Sequence, residues 1–166
     1  MFVNTPLKEI FLPESVQILN EQDPFSHLEL LENIFVDERN RFFTSLDGVL
    51  YTKNFEEIVH YPTAKTAKVY YLPKNLKRIR NQAFLNNPSI TALIFKNGIT
   101  SVGHASFYLT TNIRDFIFPL GITLPSSVHN SLKDYTISYY FIEKCSCNIT
   151  NFNFCAEIGL LSFIFI

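Results

Sequence analysis

The chain of 166 residues is one domain in size, and its 47% hydrophobic content is enough to bury a core. A formal net charge of −1 argues against a nucleic-acid binder, and the lack of any run of 18 apolar residues excludes a transmembrane helix. Seventeen Phe and eight Tyr, with five Gly and no Trp, favour strands over helices.

In chain order, Met1–Pro6 lacks the basic start and apolar run of a secretory signal. Ile10-Phe11-Leu12 then alternates inward and outward positions and is followed by Pro13. Alternation over so few residues reads as a short strand, ended by a proline that cannot donate to a ladder. The pattern returns at Ile34-Phe35-Val36, at Tyr70-Tyr71-Leu72 before Pro73, at Leu93-Ile94-Phe95, and at Phe116-Ile117-Phe118 before Pro119. A second apolar pair follows (Val16 and Leu19, Leu76 and Ile79, Ile99 and Val102) and then a large ring on the back of the turn (Phe25, Phe84, Phe107). Leu31, Ile90 and Ile113 lead into the next strand.

Much of this repeats at 23 residues. Leu72, Leu76, Ile79, Phe84, Ile90 and Leu93 recur as Phe95, Ile99, Val102, Phe107, Ile113 and Phe116. A fixed period of this length, with apolar residues at fixed phases, predicts a solenoid whose coils bury one continuous core. The second and third strands are 36 residues apart, so residues 37–69 read as one enlarged coil. Within it Asp47-Gly48 signals a tight turn, and Val49–Tyr51 and Ile58–Tyr61 read as hairpin arms across Thr52–Glu56. After Ile122 the phase is lost. Leu124-Pro125-Ser126-Ser127-Val128 repeats the Leu-Pro-x-x-Val signature six residues late, and residues 135–141 suit a terminal strand. The expected division is a solenoid over 1–140 and a non-repeat tail, disordered or aberrant, over 141–166.

Charge is segregated. Residues 1–38 hold eight acids against Lys8, and residues 65–80 hold Lys65, Lys68, Lys74, Lys77, Arg78 and Arg80 with no acid. A bipolar surface would steer partners. A solvated rim is the simpler reading, because surface charge is common and seldom specific.

Tyr71-Leu72-Pro73-Lys74-Asn75-Leu76-Lys77-Arg78-Ile79-Arg80-Asn81-Gln82-Ala83-Phe84 resembles the coil of the BspA-type leucine-rich repeats. Val102-Gly103-His104-Ala105-Ser106-Phe107 does so too, with Ser for Ala. The enlarged coil, with Val36-Asp37-Glu38-Arg39-Asn40, Ser45-Leu46-Asp47-Gly48-Val49-Leu50-Tyr51 and Tyr61-Pro62, is also similar to that family. The resemblance covers roughly residues 8–120. It departs at the family's usual Cys, where Asn87 and Thr110 or Thr111 stand. The resemblance implies a leucine-rich-repeat solenoid: a right-handed β/α superhelix, β-rich with short helical turns and a parallel concave sheet of about five strands. It implies a non-enzymatic protein-interaction module of the surface or adhesion kind. The expected partner is a protein, host or extracellular, or a second copy, with no nucleic acid. Cell-surface or extracellular placement comes from the resemblance alone, and a cytoplasmic scaffold is the alternative.

In a three-residue strand the middle side chain faces away from the core. Those residues, Phe11, Phe35, Tyr71, Ile94 and Ile117, are all apolar, and stacking the coils joins them into one stripe. Such a patch is the expected binding surface, although apolar residues also simply suit strands. Lys74, Lys77, Arg78 and Arg80 form the candidate polyanion rim, with Lys77, Arg78 and Arg80 expected to be exposed around buried Leu76 and Ile79. A solvated rim is again the simpler account.

Catalysis finds no support. His27, His60, His104 and His129 fall in different coils, with His104 read as an exposed variable position. Cys145, Cys147 and Cys155 form neither a disulfide framework nor a four-ligand metal site. No cofactor is expected. Asn148-Ile149-Thr150 is a glycosylation sequon that matters only in a secreted chain. A non-functional fragment of a longer repeat array is a further expectation, since an unmatched tail and an abrupt apolar end suit a truncated gene.

Overall fold

A computed structural model describes residues 6–19, 24, 25, 27–140 and the short strand Leu160–Leu161. Cys145, Cys147, Cys155 and the sequon at Asn148 lie outside the described residues. In chain order the first strands are β1 (Glu9–Leu12), β2 (Asn33–Val36), β3 (Phe43–Leu46), β4 (Val49–Thr52), β5 (Glu57–His60), β6 (Val69–Tyr71) and β7 (Arg78–Ile79). There follow β8 (Ala92–Ile94), β9 (Ser101–Val102), β10 (Asp115–Pro119), helix α1 (Ser126–Leu132), β11 (Thr136–Tyr140) and β12 (Leu160–Leu161).

The fold is a β-solenoid of about six turns with little helix. The apolar-x-apolar strands pair in parallel, as the repeat predicts: β1 with β2, and β6, β8, β10 and β11 in succession. Their inward residues are buried, including Ile34, Leu93, Phe116 and Phe118. A second sheet, β3-β4-β5-β7-β9, carries the next apolar pair of each coil, and Ile58, Ile79 and Val102 align across it.

The main ladder is not the single five-stranded sheet expected from the sequence. It has six parallel strands, and it is broken between β2 and β6. The enlarged coil causes the break. Phe43–Leu46 is a strand that the sequence reading missed, and it pairs antiparallel with β4 across the Asp47-Gly48 turn. Gly48 there accepts a 2.8 Å bond from the Ile34 N–H, a bond that a neighbouring ladder strand would otherwise take. Gly48 lies so close that a Cβ would sit 2.2 Å from Asn33 Oδ1, and its φ of +73 suits glycine alone. The hairpin arms β4 and β5 pair as expected, with a register shift at Leu50/Tyr51.

The break also divides the core. Leu28, Leu31, Ile34, Phe43, Leu50 and Val59 cluster on the N-terminal side. The larger cluster runs from Val49 and Tyr51 to Val128 and Leu132. Rings at the back of the coils stack along the axis: Tyr61 on Phe84 at 5.0 Å and Phe84 on Phe107 at 5.4 Å. Phe25 lies 5.2 Å from His60.

Two buried asparagines tie coil to coil. Asn87 donates to the carbonyls of Pro62, Thr63 and Lys65 and accepts from the Ser89 and Ile90 N–H groups at 3.0 and 2.9 Å. Asn40 donates to Pro13 and Val16 and accepts from Phe42 and Phe43. Thr110 stands 23 residues after Asn87 and donates to the Phe84 carbonyl. Loss of the usual Cys thus leaves these buried turns hydrogen-bonded.

The Leu-Pro-x-x-Val signature at 124–128 does not form another strand end. Pro125 is the N-cap of α1, which turns Val128 and Leu132 into the core beside β9. Proline is tolerated at a helix start because the N–H it lacks has no intrahelical partner there. The terminal strand expected near Tyr135 is β11.

Candidate protein-binding face

The register of the main ladder fixes which side chains stand together. Phe11 is opposite Phe35; Tyr71, Ile94, Ile117 and Ser138 are opposite one another in turn. Directly opposed residues share a face with Cβ atoms about 5 Å apart, so each set is a continuous row. A second row on the same face reads Glu9 and Asn33, then Val69, Ala92, Asp115 and Thr136.

Three of the five expected stripe residues are open to solvent. Phe11 is 62% exposed, Phe35 44% and Tyr71 53%. Ile117 is half-buried. Ile94 departs from the expectation: it is 9% exposed and belongs with the core. It has a large neighbour on each side in register, Tyr71 and Ile117, and these close over it. The stripe is also two patches rather than one, because the Asp47-Gly48 turn occupies the edge of β2. Sequence reasoning did not name Val69 and Asp115, which share the face; strand alternation counted from Tyr71 and Ile117 would have found both.

The basic rim is largely occupied from within. Lys77 pairs with Glu56 of the preceding coil, and this bond holds the Glu56 carboxyl below the usual range. Arg78 and Arg80 both reach Glu57, at 3.5 and 2.8 Å. Arg80 is not an exposed residue as alternation suggested: its side chain is 12% exposed, and its Nε and one Nη are buried without a hydrogen bond among the described residues. Arg80 reaches the same carboxylate as Arg78, Glu57, which stands opposite Arg78 in register. Lys74 is exposed. Beside the rim, an open groove of about 700 Å³ is lined by Arg41, Phe42, Lys53, Glu56 and Arg78.

The four histidines do not converge. His27, His104 and His129 are exposed, and His60 is buried against Phe25. No group of three His, Cys, Asp or Glu capable of holding a metal occurs among the described residues. No helix among them is long and apolar enough to cross a membrane.

Similarity to known proteins agrees with this architecture. The family model of the BspA type Leucine rich repeat region (6 copies) matches residues 1–133 and 60–163. The pneumococcal vaccine antigen PcpA is similar in structure, with 27% identity and a TM-score of 0.60 over 72% of this chain and 28% of that one. A leucine-rich repeat protein of Eubacterium ventriosum gives 27% identity and a TM-score of 0.62 over 70% of this chain and 31% of that one. A leucine rich cell surface protein of Faecalibacterium prausnitzii shares the fold at 16% identity, with a TM-score of 0.57 over 87% of this chain and 50% of that one. The chain thus spans less than a third of the first two structures. No curated protein matches it. Leucine-rich repeats are typically protein-interaction folds, generally without catalysis, and this chain belongs to the BspA-type leucine-rich repeat family.

Proposed function

We propose that the chain is a non-enzymatic interaction module that takes a protein partner on the concave face of its main ladder, in a surface or adhesion role. The observation that carries this reading is the exposure of Phe11 and Phe35, opposite each other in register, and of Tyr71 at the matching strand position of the second patch. Rings of this kind are rarely grouped on a soluble surface without covering a partner, and aromatic anchors dominate protein interfaces. Ile94 and Ile117 supply a packed floor beside Tyr71, and Asp115 adds one charge at the rim of the same face. The similarity to a pneumococcal vaccine antigen supports exposure at a cell surface. A polyanion site at Lys74, Lys77, Arg78 and Arg80 is the weaker reading, because three of these four cations already meet Glu56 or Glu57.

An array of extracellular proteins probed with the intact labelled chain tests the proposal. At least one binder is expected, with its signal lost in the double variant Phe35→Ser and Tyr71→Ser and kept in Lys74→Glu. Binding that survives the double variant, or an array without any binder, would overturn it.

A further inference from the structure

Asn97 is the one asparagine of the chain that glycine follows. The pair sits in the turn after β8, between Phe95 and Ile99, which are both buried. Stacking of the coils dictates the glycine. A Cβ at position 98 would lie 2.7 Å from Cγ2 of Ile122 in the next coil, and Ile122 is packed against the main core. Position 97 is under no such constraint, and the Asn97 side chain is exposed.

The packing that removes a side chain at 98 also unshields its amide nitrogen. The turn is held on both sides, because the Phe95 N–H donates to Ile117 and the Thr100 N–H to Lys77. Between these anchors the Gly98 N–H has no backbone acceptor among the described residues, and it donates to Asn97 Oδ1 at 2.9 Å. The Cγ carbon of Asn97 lies one carbonyl bond of about 1.2 Å from that oxygen. A nucleophile held beside its electrophile has little orientational freedom left to lose on reaction. The other asparagines and the second acid-or-amide pair with glycine lack this arrangement. Asn87 is fully buried and precedes Pro88, which has no N–H. Asp47 precedes Gly48, but Gly48 is buried against Asn33.

We propose that Asn97–Gly98 is a self-modification site, at which the folded chain converts the asparagine to aspartate and isoaspartate without an enzyme. The Gly98 nitrogen gives its proton to hydroxide and attacks Asn97 Cγ. A bond forms between that nitrogen and Cγ, the Cγ–Nδ2 bond breaks, and Nδ2 takes a proton from water and leaves as ammonia. The product is a succinimide ring. Water then opens the ring at one of its two carbonyls. Attack at Cγ restores the normal backbone with aspartate at position 97, and attack at the backbone carbonyl carbon leaves isoaspartate, with one more carbon in the main chain. The new carboxylate stands beside exposed Lys96 and 23 residues, one repeat period, after exposed Lys74. The formal net charge moves from −1 to −2, and one cation of the basic rim gains a counter-charge. The site does not depend on the proposed binding face.

The test ages the intact chain in mildly alkaline buffer beside the free peptide Phe-Lys-Asn-Gly-Ile. Peptide mapping by mass spectrometry follows the amide-to-acid exchange, and isoaspartyl methyltransferase labels the isoaspartate. Asn97 should convert at least as fast in the folded chain as in the peptide, with isoaspartate at that position and none at Asp47. The rate should rise about ten-fold per pH unit, as the amide anion becomes more abundant. An acidic species should grow in ion-exchange chromatography of the chain and be absent from the variant Asn97→Gln, whose longer side chain closes the ring poorly. An Asn97 amide that stays intact while the peptide converts, a rate below that of the peptide, equal isoaspartate at Asp47 or another asparagine, or the same acidic species in Asn97→Gln would each overturn the proposal.

Discussion

The hydroxyl of Tyr51 lies 2.8 Å from that of Tyr70, inside the core where the enlarged coil meets the first regular one. The two groups satisfy each other in a place that excludes water. Tyr61, packed edge-on to Tyr70 at 5.1 Å, has a buried hydroxyl without such a partner among the described residues. Removing one member of a buried pair leaves the other unsatisfied, at a cost of about 1–3 kcal/mol, whereas removing an unpaired hydroxyl has no such cost. Tyr51→Phe should therefore lower stability by about 1–2 kcal/mol. Tyr61→Phe should leave stability unchanged or raise it. Urea unfolding of both variants checks the contrast.

The same cluster makes the fold sensitive to alkali. Burial pushes Tyr70 up to about 12, and it raises Tyr51 and Tyr61 as well. An unfolded tyrosine ionises near pH 10. The folded state thus holds these protons more tightly, and the stability this gives is complete below about pH 10. It is lost as pH rises through the folded values. The urea midpoint should fall steadily between pH 10 and 12, with tyrosinate absorbance at 295 nm from the buried rings appearing only as the chain unfolds.

Asn87 replaces the sulfur-bearing residue usual in similar coils, and it is the more demanding choice. Its side chain serves three carbonyls and two N–H groups in a fully buried turn. Asn87→Ala should cost about 3 kcal/mol in urea unfolding, since several buried groups lose their partner together. Asn87→Asp should be at least as damaging. It keeps the acceptor for Ser89 and Ile90 but turns a charge toward the carbonyls of Pro62, Thr63 and Lys65.

Among the described residues Glu57 is the only carboxylate that reaches Arg80, and both side chains are almost buried. Glu57→Ala strands a buried guanidinium and should cost about 3 kcal/mol. The neighbouring Lys77–Glu56 pair is exposed, so Glu56→Ala should leave the unfolding midpoint in place. Thermal or urea unfolding of the two variants separates these cases.

Much of this architecture is legible in the sequence, and the gaps have physical causes. Strands such as β6 (Val69–Tyr71) and β10 (Asp115–Pro119) declare themselves because a period of 23 brings the apolar positions Tyr70 and Leu72, Leu93 and Phe95, and Phe116 and Phe118 into line. The second sheet does not, since Arg78–Ile79 and Ser101–Val102 are too short to show any alternation. Phe43–Leu46 was hidden because two of its four residues are Thr and Ser, which blur the inward pattern. Leu124–Val128 carried a strand-end signature, yet proline before two serines also starts a helix, and the missing 23-residue phase was the clue. Ile94 could not be recognised as buried from its own coil. Its covering comes from Tyr71 and Ile117 in the coils on either side, and only the register reveals them. Glu57 as partner of Arg80 was missed although the two stand 23 residues apart, one repeat period, because Glu57 lies in the enlarged coil where the regular phase is interrupted.

The most direct measurement places a photo-crosslinking benzoylphenylalanine at position 71, on the face of the main ladder, or at position 109, exposed on the back of its coil. Each protein is irradiated with the binder selected from the extracellular array. The account predicts a covalent adduct from position 71 and none from position 109. An adduct from position 109 alone would contradict it.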